Sequence, residues 1–338
     1  MSTTAATTSA PTPRTSPGRS GQLRQLLTDR PVIVLSVVFV IFYVITGLLD
    51  PSLFSVGGLR SILLLACPLA LFAAGQTIAF LTGGIDLSVT MIANFAAYVA
   101  ATQSGAGPVT ALGLALAVGV LAGLVNGIGV GVFRVHPLIM TIGMSSVLLG
   151  LMSVGLGSGG FLSGRTEVPQ VLNTLGSGTL IGPIPLNAVL WAVVAAVVIF
   201  GLSRSGLGRN IYAVGDNPIA CRLSGIKVWQ VLIVTYIIVG VLATLAGLVI
   251  SGTSGSVGPS QTNSLLLPSI AAAVIGGTSI LGGSGGYGGT IVGALVLTVL
   301  NRLLLTLNAG QAIQQIVYGL IVLALAWAYV AVSRQRAD

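Results

Sequence analysis

Long apolar runs, separated by short polar segments, make up most of this chain of 338 residues. Ten of the runs approach the roughly 20 residues that a helix needs to cross a bilayer. They cover residues 32–49, 59–81, 87–102, 109–133, 137–157, 186–203, 231–251, 265–281, 289–307 and 312–332. Only helices and closed barrels satisfy their backbone hydrogen bonds in lipid. The pattern therefore predicts an all-α integral membrane protein with about ten transmembrane helices.

Two of the predicted spans, 59–81 and 265–281, run into glycine-rich turns. They are the candidates for bent or discontinuous helices, which membrane proteins tolerate where protein buries the broken backbone. The segment 158–185 is rich in glycine, serine and proline, and we predict a long loop there.

The composition agrees with a membrane protein, because 54% of the residues are hydrophobic and only 6% are charged. A soluble domain carries about 25% charged residues. The net charge of +8 does not indicate nucleic-acid binding, since no basic stripe is interleaved with aromatic residues. The 47 glycines predict helices that pack closely through small residues.

The arginines suggest how the chain is oriented. Basic residues concentrate in the two tails, at Arg134 and in the segment 204–230, which we therefore predict to be cytoplasmic. Residues 1–30 are rich in serine, threonine and proline and are predicted to be a disordered cytoplasmic tail. Residues 31–333 form the membrane domain in this interpretation, with an uncleaved first span, and 334–338 form a second cytoplasmic tail.

The basic segment 204–230 contains a short helix with clear signals at both ends. Asn217 can cap its first turn, Pro218 suits the first helical position, and Gly225 can end it in the left-handed conformation. Ile219 and Leu223 lie four residues apart and share one face. The candidate comprises Asn217, Pro218, Ile219, Ala220, Cys221, Arg222, Leu223, Ser224 and Gly225.

Two interpretations of this helix remain open. A two-turn helix cannot bury its apolar face by itself, so the face either packs on the body of the protein or docks a second, soluble subunit. The alternative is an ordinary solvated loop whose basic residues lie at the cytoplasmic edge of the membrane.

A glycine-rich turn between the second and third predicted spans carries an isolated carboxylate. Gly83 and Gly84 precede Asp86, and Ser88 follows it by two residues. The carboxylate can cap the third span and interact with the positive end of its dipole. It can also belong to a hinge or a transport pathway, because an ionisable residue near membrane depth is costly and often functional.

Several neutral polar residues lie within the predicted spans. They are suited to exchange hydrogen bonds with a hydroxylated solute. The alternative is a purely structural role, in which each forms an interhelical hydrogen bond worth about 0.6 kcal/mol. The pathway candidates among them are Gln76, Asn94, Asn126 and Thr141.

No metal or cofactor site is predicted for this chain. The sole histidine, His136, has no cysteine neighbours with which to form a zinc site. The glycine-rich segment 276–289 lacks the lysine and the following serine or threonine of a phosphate loop, so the chain has no nucleotide site of its own.

These features separate three classes of function. A secondary transporter would place an ionisable residue at mid-membrane, and an intramembrane enzyme would need an activated nucleophile or a metal cluster. The sequence indicates neither arrangement. A permease that a separate ATPase drives needs only a path and a docking helix, which the sequence supplies.

Several short sequence motifs, which occur in order over residues 32–330, resemble those of the permease subunits of bacterial ABC importers for ribose, xylose and related sugars. These motifs lie at 74–77, 83–88, 126–127, 137–143, 208–215, 217–218, 224–226 and 275–279. Branched-chain amino-acid permeases are similar overall but differ at the motif Ile-Asp-Leu-Ser, and this difference favours the sugar branch.

The resemblance implies a permease domain at 31–333 in the bacterial plasma membrane, with ATP bound by a cytoplasmic ABC ATPase subunit. It also implies an extracytoplasmic sugar-binding protein and a second permease copy, and it makes 217–225 the coupling helix. The chain departs from the family at His136, at Ile219 and at 265–268. The departure at 265–268 is the one that leaves the exact substrate and the binding-protein contacts outside what the resemblance implies.

Overall fold

The computed structural model describes residues 31–163 and 167–335. The tail 1–30, residues 164–166 and the last three residues, 336–338, lie outside this part of the chain. The described part is predominantly helical, with two short strands, which confirms the predicted all-α class. Its helices are α1 (Pro31–Leu49), α2 (Val56–Leu81), α3 (Val89–Thr102), α4 (Pro108–Gly131), α5 (Pro137–Leu156), α6 (Gln170–Ser177), α7 (Leu186–Arg204), α8 (Gly206–Asp216), α9 (Pro218–Leu223), α10 (Val228–Ser254), α11 (Leu266–Ile275), α12 (Tyr287–Thr306) and α13 (Gln311–Gln335).

Six of these helices are long and apolar enough to cross a membrane, namely α2, α4, α5, α7, α10 and α12. Four further apolar helical stretches have only 10–17 residues each, at Leu35–Leu49, Val89–Thr102, Asn263–Ile275 and Gln311–Ala324. The multi-pass architecture is therefore clear, while the count of about ten spans stays a prediction.

The two longest central helices, α2 and α10, form the core of the bundle. Helix α10 packs along α4, α2, α3 and α6. Three glycines of α4, at 119, 123 and 127, lie directly against the backbone of α10, so that a methyl group on any of them would overlap α10. This contact confirms the small-residue seam that the glycine content predicts.

Helix α2 is continuous although Pro68 lies inside it. A proline leaves the carbonyl four residues earlier without its usual donor. In this structure the buried Asn187 side chain of α7 donates to that carbonyl, the oxygen of Leu64, at 3.3 Å. The second span, a candidate for a bent or discontinuous helix, is therefore uninterrupted, and a tertiary hydrogen bond replaces the missing one.

The eighth predicted span is shortened, as its glycines suggest. Helix α11 has ten residues, and a 3-10 turn at Asn263–Leu265 precedes it. The C-terminal ends of α11 and α2 have the same hydrogen-bonding pattern. Gly83 and Gly277 each donate to the carbonyl three residues earlier, and the residue after each glycine donates to the carbonyl five residues earlier. Both glycines have positive φ, 77° and 88°, which is the left-handed end that glycine favours.

Two segments contain more regular secondary structure than we predicted. The segment 158–185 contains α6 and a hairpin of β1 (Thr179–Ile181) and β2 (Ile184–Pro185). Helix α6 is fixed because Thr253 of α10 donates to the carbonyl of Gly176 at 3.2 Å. The segment 204–230 contains α8 in addition to the predicted short helix.

Candidate functional site

The turn at 82–88 enters the interior of the bundle instead of lying on its surface. After Gly83 the chain passes inward, and Gly84, Asp86 and Ser88 are all buried. Helix α3 then begins at Val89. A polar backbone segment is thus enclosed among helices, where each of its donors and acceptors needs a partner.

Asp86 closes this turn on itself. Its Oδ1 accepts the Ser88 amide at 2.8 Å and the Ser88 hydroxyl at 2.5 Å. Ser88 is the N-cap residue of α3, and no side chain caps the first turn of that helix. The predicted cap is therefore wrong, because the carboxylate bonds to the residue before the helix and its geometry braces the turn instead.

The Asp86 carboxyl is fully enclosed in the connection between α2 and α3, outside both helices. Burial raises its pKa to about 6, while hydrogen bonds from Ser88 oppose this shift. The charged form loses hydration inside the protein, and this loss exceeds what the hydrogen bonds return. Its second oxygen, Oδ2, has no hydrogen-bond partner.

Side chains from three helices hold the turn. Gln76 of α2 donates to the carbonyl of Asp86 at 2.6 Å, and Asn126 of α4 donates to the Ser88 hydroxyl at 2.9 Å. The Thr141 hydroxyl of α5 lies 3.2 Å from the Leu87 amide and 3.3 Å from the Ile85 carbonyl. The structure thus brings together seven of the eight pathway candidates, namely Gln76, Gly83, Gly84, Asp86, Ser88, Asn126 and Thr141.

Asn94, the eighth candidate, has a different role. Its amide accepts from the Thr262 backbone at 3.1 Å and donates to the Pro259 carbonyl and the Asn263 side chain. Thr262 in turn donates to the carbonyl of Thr90 at 2.9 Å. These bonds attach the segment before α11 to α3 and do not reach the turn at 82–88.

Two residues of this site were missed at the level of sequence. Ser145, one helical turn after Thr141, donates to the Leu87 carbonyl at 3.0 Å, and its spacing was a usable signal. Tyr236 of α10 is fully buried, and its hydroxyl has no partner. A methyl group on Gly84 would lie 2.6 Å from that hydroxyl. Nothing near Tyr236 in the sequence distinguishes it from an ordinary core aromatic.

Several buried oxygens around the turn have unused hydrogen-bonding capacity. Gln76 Oε1, Asp86 Oδ2, Asn126 Oδ1 and the Tyr236 hydroxyl all lack partners. Buried polar atoms are normally paired, so these four oxygens are exceptions concentrated around one turn. Among the residues that the structure describes, no group of three or more His, Cys, Asp or Glu could hold a metal ion.

The short helix α9 begins and ends where the sequence predicts. Asn217 Oδ1 accepts the amides of Ile219 at 3.0 Å and Ala220 at 2.9 Å, and Pro218 occupies the first helical position. The regular helix ends at Leu223, and Gly225 follows with a φ of 82°. Asn217 through Gly225 therefore form the capped unit that we predicted.

Only one face of α9 contacts the rest of the chain. Cys221 is 6% exposed and faces the protein, whereas Ile219 is 64% exposed and Leu223 is 85% exposed. The predicted apolar pair thus does not pack on the body of this chain. The face is therefore either solvated or covered by an additional molecule.

Helix α8, which the sequence analysis missed, connects α9 to the buried turn. The Asn217 amide donates to the Ala213 carbonyl, so α8 continues directly into the cap of α9. The Tyr212 hydroxyl of α8 donates to the Gly285 carbonyl at 2.9 Å, and the Gly283 amide donates to the Leu81 carbonyl at 3.1 Å. Gly215 lies against the same Leu81 and Gly283 backbone atoms. Helix α8 therefore links the cap of α9 to the last residue of α2, one residue before the turn.

Residues 58–326 match the family model of the branched-chain amino acid transport system / permease component. The chain belongs to this family. The matched region contains both the turn at 82–88 and the α9 unit. This assignment confirms the expectation of a multi-pass membrane transport component and not an enzyme.

Curated relatives of this permease cover most of its length. The ribose import permease protein RbsC of Escherichia coli (strain K12) is 35% identical over 289 residues, which are 85% of this chain and 90% of the relative. RbsC of Haemophilus influenzae is 32% identical over 302 residues, 89% of this chain and 92% of the relative. The autoinducer 2 import system permease protein LsrC of Escherichia coli (strain K12 / DH10B) is 32% identical over 308 residues, 89% of this chain and 87% of the relative. No solved structure matches the chain.

Proposed function

We propose that this chain is the membrane-spanning permease subunit of an ATP-driven importer and forms the path for a sugar, a pentose, hexose or similar polyol. The names of the ribose import relatives support the substrate class. The neutral amides and hydroxyls around the buried turn support it as well, since they can bond to hydroxyl groups without stranding a charge.

The observation that carries the proposal is the outward face of α9. Ile219 and Leu223 are exposed on a capped helix that is connected through α8 to the end of α2. In this proposal a cytoplasmic ABC ATPase subunit buries that face, and its motion on ATP binding and hydrolysis moves α8 and α2. The permease itself uses no cofactor, because the partner binds ATP.

Two further partners complete the proposed importer. An extracytoplasmic sugar-binding protein delivers the solute, and a second copy of this chain forms a homodimer with it in the bilayer of the bacterial plasma membrane. Both termini and α9 are cytoplasmic in this arrangement. A cysteine introduced at Ser177 should then react with an impermeant maleimide in intact cells, and one at Ser224 should not; the reverse labelling would overturn the orientation.

Two alternatives have specific support. Similarity to the autoinducer 2 permease favours import of another small solute, and a nucleoside or a branched-chain amino acid belongs to the same alternative. The enclosed carboxylate of Asp86, with its free oxygen, favours ion-coupled secondary transport. Uptake that survives ATP depletion but fails when ionophores collapse the ion gradients would select the second alternative.

The substitution Leu223→Asp tests the proposal. A well-buried apolar anchor at an interface contributes about 2 kcal/mol or more, and the variant adds the cost of desolvating a charge. The ATPase should no longer co-purify with the permease from native membranes, and ribose uptake should be lost. The permease should still insert and remain folded, because Leu223 contacts little of its own chain.

Leu180→Asp is the matched control. Leu180 is also exposed, but it lies in β1 before α7, a membrane-length helix away from α9. This variant should retain the ATPase. Normal assembly and normal uptake in Leu223→Asp would mean that the ATPase docks elsewhere.

A further inference from the structure

A basic cavity opens beside α9, between the α4–α5 connection and the first turns of α10. Its volume is about 640 Å³, within the range of small-ligand sites. Three cationic side chains line it, those of Arg134, Arg222 and Lys227. The neutral wall is largely apolar and includes Val130 of α4 and Leu232 of α10.

These cations have no counter-charge in the described part of the chain. Among the described residues, the ion pair is the one between Arg302 and Asp50. Arg134, Arg222 and Lys227 therefore form no ion pair with that part of the chain. The four acidic residues that the structure describes are Asp50, Asp86, Glu167 and Asp216, and none of them lines the cavity. Three unpaired cations around one concave surface favour an anionic ligand.

The backbone adds to the positive potential. Helices α5 and α10 both begin at the cavity wall, and neither has a side chain capping its first turn. The positive ends of their dipoles therefore face the same space as the cations. Arg134 holds a φ of 57°, a left-handed conformation that is uncommon for arginine. Such strain often accompanies a ligand contact.

The surroundings indicate that the cavity is at the membrane surface. Val130 and Leu232 belong to helices of membrane-spanning length. Phe133 and Trp229, next to the cavity cations, are large exposed aromatic residues. Tryptophan is enriched at the level of lipid headgroups, and basic pockets between membrane helices bind anionic headgroups.

We propose that this cavity binds the phosphate of an anionic phospholipid, with Arg134 and Lys227 as its ligands and the acyl chains along α4 and α10. The lipid would fill the space beneath Pro218 and Arg222 and so support α9 where it joins α10. An acidic side chain of a soluble partner is the competing occupant, but it would not use the apolar wall.

The test compares two double variants with the same loss of charge. Arg134→Gln/Lys227→Gln removes the proposed ligands, and Arg204→Gln/Arg209→Gln removes two exposed arginines that do not line the cavity. Each full-length protein is stripped of lipid in detergent and titrated with phosphatidylglycerol, with phosphatidylcholine or with inorganic phosphate. Bound lipid is counted by native mass spectrometry.

The wild type and the control should bind phosphatidylglycerol about tenfold or more tightly than phosphatidylcholine, and the cavity variant should lose this preference. Equal preference in all three proteins would overturn the proposal. Competition by inorganic phosphate at equal concentration would also overturn it, by assigning the site to a free anion. If the cavity variant keeps its preference for phosphatidylglycerol but no longer retains the ATPase in complexes from native membranes, the cavity belongs to the partner and the proposal is wrong. If the double variant does not fold, Lys227→Gln alone gives the same comparison at an exposed position.

Discussion

The turn at 82–88 and the helix α9 use the same local chemistry in opposite surroundings. Asp86 and Asn217 each accept the amide two residues ahead, at 2.8 Å and 3.0 Å. Gly83 and Gly225 each have a positive φ. Yet the turn is enclosed by α2, α4, α5 and α10, while α9 exposes its apolar residues. Local hydrogen bonds define the shape of both segments. Their surroundings determine whether the side chains contact the protein interior or are left exposed for a partner.

This difference predicts that substitutions in the turn alter the stability of the whole permease, whereas substitutions in α9 alter its assembly with the proposed ATPase. The largest expected effect on stability comes from Gly84→Ala. Its methyl group would lie 2.6 Å from the Tyr236 hydroxyl and 3.4 Å from Pro137, and overpacking of this kind costs about 1–3 kcal/mol. The midpoint of chemical unfolding in detergent should fall accordingly.

Tyr236→Phe provides the control for that prediction. The Tyr236 hydroxyl is buried and has no hydrogen-bond partner, so its removal alone should not destabilise the protein. When Gly84→Ala is combined with Tyr236→Phe, it should be much less destabilising, because the clashing oxygen is gone. An equal loss of stability with and without the tyrosine hydroxyl would contradict the contact.

Asp86→Asn should separate folding from transport. An asparagine keeps the acceptor for the Ser88 amide and hydroxyl, so unfolding should change by about 1 kcal/mol or less. Uptake should nevertheless fall severalfold if the transport cycle uses the charge or the proton. A variant with wild-type uptake would leave Asp86 as a structural brace of the turn.

The pH dependence of stability sharpens the same comparison. Burial raises the Asp86 pKa from 3.8 to about 6, so the folded protein holds this proton more tightly than the unfolded chain. The resulting stabilisation is complete below the unfolded pKa and is lost as the pH rises through about 6. Wild-type thermal stability should therefore decrease from about pH 4 to about pH 6, and Asp86→Asn should show a flatter profile.

The smallest expected effect on global stability comes from Asn217→Ala. Loss of an N-cap costs a helix about 1 kcal/mol, but α9 contributes little buried surface to the bundle. Detergent unfolding should barely change, while ATPase co-purification should weaken. Asn217→Asp, which keeps the acceptor, should behave like the wild type; equal weakening in both variants would show that the cap geometry is not what matters.

Local signals explain which parts of this structure could be predicted. Apolar run lengths located the long helices, and Asn217, Pro218 and Gly225 located α9, because caps and left-handed glycines act over a few residues. Helix α8 was missed although Ile211 and Val214 are buried at helical spacing, because the segment 204–230 was treated as a basic connection that contains one short helix.

Contacts between distant residues could not be predicted in this way. The bond from Asn187 to Leu64 that keeps α2 continuous joins residues 123 positions apart, and Asn94 finds its partners 165 or more positions away. The free Tyr236 hydroxyl follows from how α10 packs, and its own sequence neighbours carry no signal. Single-sequence periodicity describes one element at a time, so it cannot pair such residues.

The central claim is that the exposed face of α9 is the contact for a driving ATPase, and solvent accessibility tests it most directly. A cysteine introduced at Leu223 can be labelled with a maleimide in the isolated permease and in the complex from native membranes. Both native cysteines, Cys67 and Cys221, are buried, so the background should be low. The account predicts rapid labelling of the isolated permease and strong protection in the complex, with no protection of a cysteine at Leu180. Equal labelling at position 223 in both states would contradict it.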